Sequence, residues 1–398
     1  MIALSRRRFL CVSFAALPLA VQLQARADVP PLALKAEEVA TSLLSADGSK
    51  AYAWGFNGKI SDLALTLHQF SALPLRLTNA LPVPLQLKIC GLRFPHGPLD
   101  AALAPGESRD APFPVADSGF ALVLMRDSAG QASDPIGAIL VPEANPPAVD
   151  ADVLAIVHET GSPPILSVAG APASARHSFA PHARIRLRLA NACPNRLASI
   201  HIEGAAPTVI AVDSQPCELF QPLRNQFPLA PLARFELMFD MPGSAGAKVT
   251  FALADLDGAK PQPLLSFEAQ GEAKPPPGPI APLPANSALP TKIALEQALR
   301  VDVPLTGKPS VKALFKAKRG QPVVLAFHNT TQATQAARLG GHVGRLLHSL
   351  DDGWDPYWRD IVLIAPGKSA LLAFVADNIG VWPVETEGVG VVGAFAVE

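Results

Sequence analysis

The stretch that decides the reading of this chain runs Asn329-Thr-Thr331, Leu339-Gly-Gly-His342, Asp352-Gly-Trp354, Pro356-Tyr-Trp-Arg-Asp360, Ala365-Pro-Gly367, Ala373-Phe-Val-Ala-Asp-Asn378, Gly380-Val-Trp382 and Gly393-Ala-Phe-Ala-Val397. Turn formers recur every few residues, and little between them has a helical period. The same texture extends back through the chain. Leu75-Arg-Leu-Thr78, Ile185-Arg-Leu-Arg-Leu189, Ser199-Ile-His-Ile-Glu203, Phe235-Glu-Leu-Met-Phe239 and Val323-Val-Leu-Ala-Phe327 are short runs between Pro, Gly, Asn and Asp. Period-2 runs of this length predict half-buried strands, because successive side chains of a strand point to opposite faces. The 41 prolines suit loops and strand ends, since proline brings no N–H to a ladder. The expected fold is all-β, in sandwiches or Greek-key barrels.

Two breaks divide the chain. Lys274-Pro-Pro-Pro-Gly-Pro-Ile-Ala-Pro-Leu-Pro284 cannot hold a ladder and reads as a semi-rigid connector; Glu143-Ala-Asn-Pro-Pro147 interrupts two strand-rich regions. The expected units are 28–145, 148–270 and 288–398, with a linker at 271–287.

With 398 residues, 49% of them hydrophobic, the chain can build ordinary cores. A formal charge of -1 leaves no basic surplus for a nucleic acid or an anionic membrane surface. Ser5-Arg-Arg-Arg-Phe-Leu10, the apolar run from Cys11 to Leu23 and Ala25-Arg-Ala27 have the layout of a secretory signal over residues 1–27. The paired arginines before Phe and Leu resemble a twin-arginine signal, so periplasmic export is expected. No later run is apolar enough to predict a transmembrane helix. Cleavage would leave Cys90, Cys193 and Cys217, with Cys193 and Cys217 as a candidate disulfide.

The frame from Asn329 onward resembles the C-terminal cupredoxin domain of three-domain multicopper oxidases. Arg184-Ile-Arg-Leu-Arg-Leu-Ala-Asn191, Val209-Ile-Ala-Val-Asp-Ser-Gln-Pro216 and Leu229-Ala-Pro-Leu-Ala-Arg234 are similar to that family's second domain. Arg76-Leu-Thr-Asn-Ala-Leu-Pro-Val-Pro84, Gly91-Leu-Arg93, Ala104-Pro-Gly-Glu107 and Gly137-Ala-Ile-Leu-Val141 are similar to its first. The resemblance implies three cupredoxin-like barrels. It also implies where copper ligands would stand, and there the chain departs from the family.

Copper oxidases hold a trinuclear cluster with four His-x-His pairs, because alternate residues of a strand share a face. The matching positions here are Lys88 and Cys90, Leu124 and Arg126, Arg338 and Gly340, and Glu385 and Glu387. For the mononuclear site, Gln335 stands in place of a His and Thr386 in place of the Cys, and the loop carrying the remaining ligands is shortened through Gly388-Val-Gly-Val-Val-Gly393. Guanidinium and ammonium have no lone pair to give, so neither copper nor any other cofactor is expected.

The 9 histidines offer no replacement. His342 and His348 are expected on one strand, roughly 20 Å apart and unable to share a metal. His177 and His182 are expected in a loop without a third ligand beside them. His68, His158, His201 and His328 lie isolated in strand-like sequence, and His96 in a turn. Gly-x-Ser-x-Gly, phosphate loops and His-Glu-x-x-His are absent, and Asp351, Asp352, Asp355, Arg359 and Asp360 read as a structural loop.

The resemblance is best to copper-less SufI/FtsP-type periplasmic proteins, which support cell division. It implies a non-catalytic scaffold with periplasmic protein partners. The alternatives are a copper-dependent oxidoreductase with non-standard ligands and a small-molecule or metal carrier using a cleft between barrels. If the barrels pack as the resemblance implies, Glu385 or Glu387 should pair with Arg338 or Lys88, Arg338 being favoured for its bidentate fork, and lock the last barrel onto the first.

Overall fold

The structure, a computed structural model, describes residues 31–398 except 45–49, 60–62, 71, 96, 98–100, 128–136, 161–164, 169–170, 173–174, 256–259, 348–352 and 354. The expected signal, His96, His348, Asp351 and Asp352 therefore lie outside the described residues. Residues 31–398 form one compact unit. The all-β expectation holds: the only helical pieces among the described residues are the single 3-10 turns Leu223–Asn225 and Leu295–Gln297.

Six sheets pair into three repeats of one topology. In each repeat the opening strand runs parallel to a later one: Leu32–Leu44 beside Ala72–Asn79, Ala151–Thr160 beside Arg184–Asn191, and Leu299–Leu305 beside Gln321–Asn329. The facing sheet repeats the arrangement with Leu63–Thr66 beside Gly137–Val141, Ala175–Phe179 beside Gln262–Ala269, and Ala313–Ala317 beside Gly390–Val397. The remaining pairings are antiparallel, as short hairpin connections require.

One residue recurs with this topology. Asn79, Asn191 and Asn329 end the corresponding strands, and all three are buried. Each Nδ2 donates to two loop carbonyls, those of Val83 and Leu103, Arg196 and Leu229, and Ala333 and Ile364. Each Oδ1 accepts the N–H two residues on, from Leu81, Cys193 and Thr331. A buried amide with its hydrogen bonds made fixes the turn that leads into the facing sheet.

Apolar cores fill each repeat. The middle core contains Phe251 and Phe267, whose rings meet edge to face at 5.9 Å. It continues into Cys90, Phe120, Leu122 and Leu124 of the first repeat and Ala336 and Ile361 of the third. The Pro-rich connector adopts no strand, and its Leu283 packs on Ile210, Ala211 and Met238.

Several local expectations change. Arg184–Asn191 is a strand, but both its faces are covered, so its arginines form a buried charge layer. His177 lies in the strand Ala175–Phe179, its ring 5.2 Å from that of Phe267, whereas His182 takes the turn with φ 65. His68 follows its strand instead of lying within it, and His342 lies beyond the end of Gln335–Leu339. Cys90, Cys193 and Cys217 are all buried free thiols, so Cys193 and Cys217 form no disulfide. Burial pushes the Cys217 thiol up to about 12, which keeps it protonated and unreactive.

Candidate functional site

The positions assigned to copper ligands lie on strands that register brings face to face. In the first repeat Leu85–Cys90 pairs with Gly119–Asp127, with Lys88 opposite Leu124, Cys90 opposite Leu122 and Gln86 opposite Arg126. Directly opposed residues share a sheet face, so all four positions of this half are on one face. The Arg126 side chain is outside the described ones. Cys90 and Leu124 are buried in the core cluster that is continuous with the middle repeat.

In the third repeat Arg338 is opposite Glu385, and Ala337 opposite Thr386. Arg338 Nε donates to Glu385 Oε2 at 3.1 Å, and Nη2 binds the same oxygen. Lys88 reaches across from the first repeat, 2.7 Å from Glu385 Oε2 and 3.4 Å from Glu387 Oε1. The expected pairing is thus present, with two corrections. Arg338 meets one carboxylate oxygen instead of forking onto two, and Lys88 meets that same oxygen from the first repeat. Its partner is also in its own repeat, so Lys88, with the longer and freer stem, makes the link between repeats. Burial works against the Arg338 charge, but the Glu385 carboxylate outweighs it and holds the guanidinium above its ordinary range.

Beside these ion pairs is a cavity of about 260 Å³, lined by Lys88, Ile89, Arg338, Val381, Trp382 and Glu385 among others. The charged side chains share its lining with Gln86 and with the apolar Ile89, Trp382 and Pro383. Val381, at 61% exposure, stands at the rim.

The mononuclear positions are also filled. Gln335 Nε2 donates to Thr331 Oγ1 at 3.2 Å, so its amide serves the turn after Asn329. Thr386 is buried, and its Oγ1 makes no hydrogen bond among the described residues. The hairpin closes directly behind it, with Val389 N donating to Thr386 O at 3.1 Å and Gly390 opposite Thr386.

Copper does not fit this donor set. Lys88 and Arg338 bring positive charge where lone pairs are required, and they engage the Glu385 and Glu387 carboxylates. Cys90 faces apolar core. Restoring a side chain at Gly340 would place its Cβ 2.7 Å from Pro383 O, so the backbone itself has closed over that ligand position. Among the described residues no group of three His, Cys, Asp or Glu is arranged to hold a metal.

The wider junction depends on residues whose role was not evident in the sequence. Arg93 forks onto Asp117 at 2.9 Å on each oxygen and reaches Asp377 in the third repeat at 2.7 Å. Asn378 Nδ2 donates to Phe94 O at 2.8 Å and Gly341 O at 2.9 Å. Arg234, fully buried in the middle repeat, donates from Nη2 to Asp360 Oδ1 at 2.6 Å. Asp213 accepts from the backbone N–H groups of Asp360 and Ile361 at 3.3 and 3.2 Å. Asn286, near the end of the connector, accepts from Ser118 N at 2.8 Å and donates to Gln215 at 2.7 Å. Arg93, Asp213, Arg234, Asp360, Asp377 and Asn378 all belong to the quoted sequence frame, so that frame encodes the docking of one repeat on another. The only hint in sequence was that these are charged or amide residues inside apolar segments.

His342 serves the same junction. Its Nδ1 lies 3.1 Å from Gly340 O, and its Nε2 accepts the Asn378 N–H at 3.2 Å, which fixes the neutral tautomer. Burial pulls its pKa down to about 4. His328 bonds Ser369 and Asp302 at the surface. Asp355 pairs with Arg359 at 2.7 Å, which places this part of the expected loop in a structural role.

Residues 288–387 match the sequence model of the multicopper oxidase family. No curated sequence matches the chain. The chain superposes on a multicopper oxidase from Pseudomonas thermotolerans with a TM-score of 0.80 at 21% identity, covering 93% of this chain and 99% of that one. Lac15 from a marine microbial metagenome gives 0.76 at 22% identity, covering 92% and 100%. Fet3p, a multicopper oxidase that functions in iron import, gives 0.72 at 14% identity, covering 93% and 90%. The chain accordingly has the cupredoxin-like multicopper oxidase fold, and its last repeat carries that family's sequence pattern.

Proposed function

We propose that this protein is a copper-free, non-catalytic use of the multicopper oxidase fold, a periplasmic scaffold or interaction protein of the SufI/FtsP type, exported by the twin-arginine pathway and serving the cell envelope or division machinery. One observation carries the loss of chemistry. The trinuclear positions hold an interlocked set of ion pairs, Lys88 to Glu385 and Glu387 and Arg338 to Glu385, in place of imidazoles. For copper to enter, both carboxylates would have to leave buried cations, and those cations would then repel the metal. What remains is a rigid body whose repeats are tied by specific buried polar links, suited to presenting surfaces to a partner. The Arg-Arg-Phe-Leu element and the apolar run after it support export, since folded cargo is what that pathway carries. The scaffold role itself is carried by the resemblance.

Two experiments test this reading. Mature protein incubated with copper under reducing and oxidising conditions, then desalted and measured by elemental analysis, should hold well under one copper per chain and show no oxidation of phenolic substrates. Stoichiometric copper with oxidase turnover would overturn the reading. Affinity capture from periplasm should recover division or envelope proteins, and Arg6→Lys/Arg7→Lys should leave precursor in the cytoplasm. Normal periplasmic accumulation of that variant would remove the twin-arginine route.

A further inference from the structure

The ion pairs at the vacated junction leave a specific imbalance. Arg338 has five N–H donors and Lys88 three. Arg338 directs one from Nε and one from Nη2 to Glu385 Oε2, and neither cation has a protein partner besides Glu385 and Glu387. Three donors of Arg338 and one of Lys88 are therefore unused, on side chains only 7% and 10% exposed. Both residues line the cavity of about 260 Å³. That volume is several times the roughly 30 Å³ share of one water molecule, so there is room for more than solvent. The Glu385 and Glu387 carboxylates are already engaged. The cations share the lining with Gln86, Ile89, Trp382 and Pro383, and Val381, the exposed lining residue, is at the mouth.

We infer that this cavity is a binding site for a small free carboxylate with a short apolar or aromatic tail. The carboxylate would accept from the unused Arg338 and Lys88 donors, and the tail would pack on Trp382, Pro383 and Val381. A neutral or cationic head is disfavoured, because it offers fewer acceptor lone pairs or adds a third positive charge. Each described cation at the site already faces a carboxylate, so recognition comes from the direction of the unused donors. That sets a modest affinity, with a Kd of about 0.1 to 1 mM. The site stands apart from the scaffold reading: a scaffold without ligand and a ligand-binding protein without partners are both consistent with the same absent copper chemistry.

The test uses purified mature protein and three probes of matched shape: benzoate, benzamide and benzylamine. Titration calorimetry should give saturable benzoate binding, with benzamide and benzylamine at least about tenfold weaker, the loss expected for a missing charge-assisted hydrogen bond. Arg338→Gln should weaken benzoate by a similar factor. Because that change also disturbs a buried pair, Val381→Glu provides an independent variant: the position is 61% exposed, so the protein should fold with an unchanged far-UV spectrum, while a carboxylate at the mouth repels benzoate. Equal binding of benzoate and benzamide, no saturable benzoate binding up to about 10 mM, or benzoate affinity unmoved in both folded variants would each overturn the assignment.

Discussion

Two buried charge networks in this molecule use the same residue types to different ends. In the middle repeat, Arg186 donates to Glu143 at 3.0 and 2.6 Å and to Glu236 at 2.8 Å, while Arg188 forks onto Asp152 at 2.8 and 2.9 Å and lies 3.2 Å from Glu236. Arg186 is 2% exposed, and of the residues in this network Asp152, the partner of Arg188, reaches the surface. At the junction of first and third repeats, Lys88, Arg338, Glu385 and Glu387 also pair, but beside a cavity with donors left over. The middle network also leaves Arg188 Nη1 and Glu236 Oε1 without a hydrogen bond among the described residues, but those atoms are buried, so its contribution is to stability and register. The open one tolerates water and keeps capacity for an acceptor. The distinction lies in access, since the cost of an unpaired charge depends on whether solvent can reach it.

The sharpest test of that contrast is removal of one cation from each. Arg186→Ala should cost about 3 to 5 kcal/mol in urea unfolding, because the buried Glu143 would lose its guanidinium and Glu236 would keep only Arg188. Arg338→Ala should cost less, about 1 to 3 kcal/mol, since water can enter from the cavity and Lys88 still faces Glu385. Equal losses would break the comparison.

A smaller effect is expected from pH. Burial holds His158 and His342 at about 4 in the folded protein, below the ordinary 6.5, and raises Asp360 to about 6 despite Arg234. Each histidine contributes stability present above pH 6.5 and lost as pH falls through about 4. Asp360 has the opposite sign: its contribution is complete below its ordinary 3.8 and lost as pH rises through about 6. Between these limits two protons are gained on unfolding and one is released, so these three groups make stability rise by about 1.4 kcal/mol per pH unit near pH 5. Asp360→Asn should steepen the slope towards twice that value; a flatter slope from urea midpoints between pH 4.5 and 6 would contradict the assignment. The smallest effect is at the surface. Arg76 and Asp110 fork together at 2.6 and 2.7 Å but are exposed, and Arg76→Ala should leave the unfolding midpoint unchanged within error.

How legible all this was in the sequence differs by residue. The strands at Leu75 and Ser199 follow from alternation alone, because a half-buried strand needs only its own period, whereas Val323–Phe327 is a continuous apolar run bounded by turn formers. The same rule misjudged Arg184–Asn191: its polar positions face Glu143, Glu236 and Asp152, and no local pattern reports that carboxylates from elsewhere in the chain will cover them. The ion pair at Glu385 was legible because the resemblance placed five charged residues, Lys88, Arg126, Arg338, Glu385 and Glu387, at positions expected to converge. Which cation crosses between repeats was not, since that depends on side-chain reach across a packed junction. His342 looked like a strand residue and is instead a neutral clamp between Gly340 and Asn378.

The sequence by itself determined the all-β class, the repeated strand pattern and which side chains stand at the positions matched to copper ligands, because these depend on period, turn formers and residue identity. Only the tertiary structure decided that Cys193 and Cys217 are separate thiols, that Asn79, Asn191 and Asn329 play one role three times, and that Arg93, Arg234 and Asn286 hold the repeats together. It alone showed that the vacated junction keeps a cavity with unused donors. These are properties of distances between residues far apart in the chain, which the packing of sheet faces fixes and local sequence does not encode.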